Sequence, residues 1–150
     1  MDILGQVNVS KENAAVIARG LYTLSRVDGH EEREGILIKS LWMDAVGADA
    51  EVDLNVVEKL SDISSKDLAQ ALGTVELKRV FVKTALLLAW ADGDVSAKEK
   101  AWIKEAALAL GLTEGELARE DELVRTFLLS QLAHVQNVDA AKEVAKKLGF

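Results

Sequence analysis

The sequence predicts an all-α fold, a compact bundle of about seven to eight helices, and three observations carry that prediction. Proline is absent from all 150 residues while 49% of them are apolar, so nothing interrupts stretches rich in Ala, Leu, Lys and Glu. No window shows the sustained alternation between turn signals that marks a strand. Residues 75–91 read as a helix whose last twelve positions hold only Lys83 and Thr84 as polar members. Such a helix is expected to be buried on most sides rather than along one stripe, with the others packed around it.

Taken in order, residues 1–9 form an irregular lead. Ser10 caps a helix reaching about residue 27, with Ala15, Ile17, Ala18, Leu21, Leu24 and Ser25 on its inner face. Asp28-Gly29 ends it, because Gly readily adopts the left-handed conformation that closes a helix. A second helix over about 31–46 carries Ile36, Leu37, Ile38, Leu41, Trp42 and Val46, with Gly47 at the C-terminal cap. A polar connector leads to a short helix near 54–60, and Ser64 or Ser65 caps another that ends at Gly73. The central helix follows and stops at the corner Asp92-Gly93-Asp94. Ser96 and Glu99 then form an S-x-x-E capping box for a helix ending at Gly111. Thr113 and Glu116 form a second box, for a helix with Leu117, Leu123, Phe127, Leu128 and Leu132 inward. That helix breaks near Asn137, and Asp139 caps a last one to Leu148.

A repeat lies inside this order. Asp92-Gly93 follows Asp28-Gly29 by 64 residues, and Gly111 follows Gly47 by the same 64. The expected architecture is two pseudo-symmetric helical hairpins around the buried central helix, in one domain over residues 1–150. The register between the copies is loose: Glu31 stands where the second copy has Val95. A single core in a chain of this size buries roughly 70% of the unfolded surface.

Composition narrows the function. A net charge of −7 argues against nucleic acid as the main ligand, since phosphate binding needs a basic surface. It suits cations, basic partners or simply solubility. Without cysteine there is no disulfide, thiolate metal site or cysteine nucleophile, which fits a reducing, cytoplasmic setting. The longest wholly apolar run, 85–91, is far below the roughly 20 residues of a membrane span, so no direct membrane insertion is expected. The N-terminus lacks the pattern of a signal peptide. There is no nucleotide-binding glycine loop, no G-x-S-x-G and no Ser/His/Asp set, so a non-enzyme is expected.

The polar chemistry concentrates at the acidic corners. Asp92 to Glu99 reproduces the second half of a calcium EF-hand loop, but the positions of the first-half ligands hold Leu88 and Trp90, which excludes a true EF-hand. What remains is a cluster of Asp92, Asp94, Ser96 and Glu99 offering two to four oxygens, with the first corner (Asp28, His30, Glu31, Glu34) as the natural donor of the rest. Calcium takes six to eight oxygens and magnesium six. The same residues also serve as helix caps and complement the helix dipole without any ligand, and they suit a basic partner surface. His30 and Glu34 are spaced for chelation yet lack the second histidine of H-E-x-x-H, and His134 reads as a packed or rim histidine. Trp42, Trp90 and Trp102 are expected in the core or at its edge.

The run Trp90-Ala91-Asp92-Gly93-Asp94-Val95-Ser96-Ala97-Lys98-Glu99, followed by Gly111-Leu112-Thr113, resembles the tellurite-resistance TerB-like family. The first hairpin matches more weakly, through Arg26-Val27-Asp28-Gly29 and Glu34. The resemblance implies a bundle of about seven helices. It also implies a role in tellurite or other stress resistance as a cytoplasmic component working with membrane-associated protein partners. Some relatives join this module to J-domain co-chaperones, whose His-Pro-Asp signature this chain lacks, so the stand-alone form is expected. Carried over, the proposed metal positions are Asp28, Glu34, Asp92 and Glu99. With Asp94 they form the candidate site for a divalent cation (calcium, magnesium, manganese or zinc, unassigned). Tellurite reduction is not expected, since no cysteine or cofactor motif can carry electrons. The alternative is a scaffold that binds a protein partner through helix faces, its corners purely structural.

Overall fold

The computed structural model of the chain describes residues 9–27, 32–46, 52–91, 95–132, 146, 148 and 149. Among them lie seven α-helices and no strand: α1 (Lys11–Arg26), α2 (Glu32–Val46), α3 (Leu54–Glu58), α4 (Ser65–Ala71), α5 (Val75–Trp90), α6 (Ala97–Ala109) and α7 (Glu114–Leu132). Local side-chain chemistry starts most of them. Ser10 Oγ accepts the Asn13 amide at 3.2 Å, Ser64 Oγ that of Asp67 at 3.1 Å, and Thr74 Oγ1 that of Leu77 at 3.2 Å. Of the two serines before α4, Ser64 is therefore the cap. Ser96 and Glu99 exchange bonds of 3.1 and 3.3 Å, and Thr113 and Glu116 bonds of 3.1 and 3.2 Å, so both capping boxes form. The end of α6 is a Schellman motif. Gly111 takes φ +92°, its amide donates to the Leu108 carbonyl, and the Leu112 amide donates to that of Ala107.

Helix α5 is the hub. Val80, Phe81, Val82 and every residue from 84 to 89 are buried, and the helix packs against α1, α2, α6 and α7. Each fully buried side chain of Leu, Val or Phe size contributes roughly 1.5–3 kcal/mol, so this helix anchors the core. Its buried hydroxyl is satisfied within the helix, Thr84 Oγ1 donating to the Val80 carbonyl at 2.7 Å. Helix α1 is buried more widely than one stripe, from Ala14 to Ser25, because α2, α3, α4, α5 and α6 all touch it. Its Gly20 lets it approach α5: a Cβ there would stand 2.5 Å from Phe81 Cε2. Trp42 of α2 closes the other side, its indole donating to the Ala14 carbonyl at 2.8 Å.

One inward assignment is corrected. Leu123 is exposed, and Val124 is the buried residue of that turn. At about 100° per residue, Leu123 lies a third of a turn off the line through Leu117, whereas Val124 falls nearly on it. The turn at Asp28-Gly29, the cap at Gly47, the break near Asn137 and the cap at Asp139 lie outside the described residues. Of the expected last helix, Lys146 is described and helical, while Leu148 is described, buried and already in a turn.

Candidate functional site

Of the five candidate metal residues, Asp28, Asp92 and Asp94 lie outside the described residues, as do His30, Glu31 and His134. Glu34 falls in α2, with its side chain outside the described set. Glu99 is described, and its carboxylate accepts the Ser96 amide in the capping box. Among the described residues no group of three or more His, Cys, Asp or Glu side chains gathers to hold a metal ion. Glu99 thus has a structural duty that a cation would have to share.

Beside the second corner the fold builds a groove of about 600 Å³, within the range of ligand-binding clefts. Helix periodicity explains its walls. Leu86 and Trp90 lie one turn apart at the end of α5, directly before the corner, and Val95 lines the groove directly after it. Lys100, Ile103 and Lys104 share one face of α6, and Leu117, Asp121 and Arg125 recur every four residues along α7. Glu114, Ala118, Leu148 and Gly149 complete the lining.

Trp90 is the fixed element of this site. Its indole Nε1 donates to Asp121 Oδ1 at 2.7 Å, while Asp121 Oδ2 lies 3.0 Å from Arg125 Nε. Arg125 also donates from Nη1 to the Leu148 carbonyl at 3.0 Å and stacks its guanidinium 5.9 Å from the centre of the Trp90 ring. The Lys100 ammonium sits over the same ring at 5.9 Å, a distance at which a cation is attracted to the aromatic face. Lys104 pairs with Glu114 at 3.0 Å in an exposed pair, which contributes little to stability. Lys83 and Glu120, 3.6 Å apart and half-buried, join α5 to α7 nearby. At the start of α7, hydrogen bonds from Thr113 hold the Glu116 carboxyl below the usual range, helped by Arg79 and Arg119.

The acidic corner is visible in the sequence because its residues are contiguous. The groove is not, because it forms where three helices meet. The available signals were the spacings of Leu86 with Trp90 and of Leu117 with Asp121 and Arg125, which a helical reading assigns to packing. Family models, curated proteins and solved structures all return no match to this chain. No helix among the described residues is long and apolar enough to cross a membrane.

Proposed function

We propose that the protein is a non-enzymatic, stress-associated binding module of TerB-like type. In this reading the second acidic corner and the groove between α5, α6 and α7 form one contact surface for a protein partner, with a divalent cation held at the corner oxygens. The observation that carries it is the position of Trp90. This residue ends α5 two positions before Asp92, lines the groove, and is pinned by Asp121. The corner therefore follows the groove wall within two positions of the chain, which is what supports joining the two in one surface. The stress association rests on the resemblance of residues 90–99 and 111–113 alone. The pseudo-symmetric hairpins belong to the same proposal. They are supported by the α1–α2 and α5–α6 contacts, and by the cross contacts α2–α5 and α1–α6 that a two-fold axis would exchange.

A second reading keeps the groove for a protein partner and treats the corners as structural. The engagement of Glu99 in the capping box favours it. Thermal melts after chelation, repeated with calcium, magnesium, manganese and zinc, separate the two. A cation at about 100 times its dissociation constant stabilises by roughly 2.7 kcal/mol, an upward shift of several degrees in a domain of this size. The shift is expected to vanish in Asp92→Asn. A flat response to all four cations would leave the corners as helix caps.

A further inference from the structure

We infer that the groove receives an acidic, extended segment of a protein partner, in which an apolar side chain stands between two carboxylates. The inference rests on the groove being the contact surface and adds the chemistry of its occupant. The lining itself supplies the argument from charge. It carries Lys100, Lys104 and Arg125 against Glu114 and Asp121, and both of these carboxylates are already engaged. Asp121 holds the Trp90 indole and Arg125, and Glu114 holds Lys104 at 3.0 Å. Among the described residues no carboxylate pairs with Lys100, whose ammonium sits over the Trp90 ring instead. The groove therefore offers positive charge although the whole chain is acidic. Exposed charges farther off than about 8 Å are largely screened at physiological ionic strength, so the lining decides what enters.

The same lining keeps apolar surface open. Trp90, Val95 and Leu117 pack on the core yet are only half-buried, whereas Leu86 and Ile103 are buried. Dimensions select an extended peptide. From Glu114 to Arg125 the lining follows α7 for about 16 Å, the reach of about five extended residues. Lys100 and Lys104 stand one turn apart on α6, about 6 Å along its axis. Alternate residues of an extended segment point the same way at a spacing of about 6.6 Å. Carboxylates two positions apart therefore match the two lysines, and the residue between them faces the α7 wall, where Leu117 stands. The Lys104–Glu114 pair is solvent-exposed (56% and 71%), so exchanging Glu114 for a partner's carboxylate costs little.

The test titrates the full chain, kept under chelator, with the peptide acetyl-Ala-Glu-Leu-Glu-Ala-amide and follows the tryptophan indoles by NMR. The capped ends leave the two glutamates as its only charges. Controls replace both glutamates by glutamine, or the leucine by alanine, and sodium hexanoate stands for a small apolar carboxylate. The Glu-Leu-Glu peptide is expected to shift the Trp90 indole signal saturably and to leave that of Trp42 in place. An exposed ion pair is worth a factor of about two to five, so the glutamine peptide should bind about fivefold more weakly or worse. The alanine peptide and hexanoate should also bind more weakly. Lys100→Gln is expected to lower affinity for the Glu-Leu-Glu peptide about two- to fivefold without changing that for the glutamine peptide, and Lys100→Arg to retain it. Equal affinity for the glutamate and glutamine peptides, or an equal loss of both in Lys100→Gln, overturns the inference while leaving the groove as a contact surface. Hexanoate binding as tightly as the Glu-Leu-Glu peptide would make the occupant a small molecule and overturn the peptide assignment. A Trp90 signal that no peptide moves also overturns it. Because the chelator removes divalent cations, none of these outcomes depends on the corner binding one.

Discussion

Removing the Asp121 carboxylate is the perturbation that bears most on how the groove is held. Asp121→Ala deletes the 2.7 Å bond from the Trp90 indole and the 3.0 Å pair with Arg125. A hydrogen bond to a charged group contributes about 1.5–3 kcal/mol, and an i,i+4 ion pair about 0.3–0.5 kcal/mol. Asp121 and Arg125 are each about a quarter exposed (28% and 25%), so water screens part of both interactions and the lower end applies. The expected loss is about 2 kcal/mol, or a fall in melting temperature of about 4–8 °C for a chain of this length. Asp121→Asn keeps an acceptor for the indole and gives up only the charge, so its loss is expected to stay below about 1 kcal/mol. Urea unfolding followed by circular dichroism measures both variants. Combining Asp121→Ala with Trp90→Phe in a double-mutant cycle isolates the bond, with an expected coupling of about 1 kcal/mol or more. Additivity within about 0.3 kcal/mol would refute the claim that Asp121 fixes the Trp90 wall.

Further outcomes follow from the same geometry. Gly20→Ala forces a methyl to 2.5 Å from Phe81, which is 1% exposed and stacked edge-on against Trp102 at 6.2 Å. Overpacking of about 1–3 kcal/mol then outweighs a gain of about 1 kcal/mol in helix propensity. Urea unfolding should show a net loss, whereas Gly73→Ala, with open space around it, should be near neutral. Ser96→Ala removes a cap and should cost about 1 kcal/mol by the same assay. Burial and the nearby Glu58 raise the Tyr22 pKa against the opposing effect of Arg26, so the folded state holds this proton more tightly than the unfolded chain. That contribution to stability is complete below the unfolded value of about 10 and declines as pH rises beyond it. Tyr22→Phe should therefore flatten the alkaline limb of a stability-versus-pH curve.

The helices were legible because their signals are local. An N-cap needs only a side-chain oxygen and an amide three residues on, and Ser10, Ser96 and Thr113 each supply that pair within the same short segment. The central helix announced itself through composition, since a segment with two polar residues in twelve has no face to give to solvent. Residue phase on α7 was harder. Leu123 and Val124 are both apolar and adjacent, and only the packing of α7 on α5 and α6 selects the second. The groove lay beyond sequence reading for a stronger reason. Trp90, Lys100 and Asp121 come from three helices, and their meeting depends on how those helices cross rather than on any spacing within one of them. Leu148 was expected only as the end of a helix, and nothing local signals that Arg125, 23 residues earlier, would hold its carbonyl.

The most direct measurement is the NMR spectrum of the tryptophan indoles during titration of the chelated protein with calcium and then, separately, with magnesium and zinc. The Trp90 indole is bonded to Asp121 beside the second corner, and the Trp42 indole is bonded to the Ala14 carbonyl between α1 and α2. If the corner and the groove form one binding surface, at least one cation shifts the Trp90 signal saturably, leaves the Trp42 signal in place, and loses its effect in Asp92→Asn. A Trp90 signal that stays fixed through all three titrations, or moves only together with that of Trp42, would contradict it.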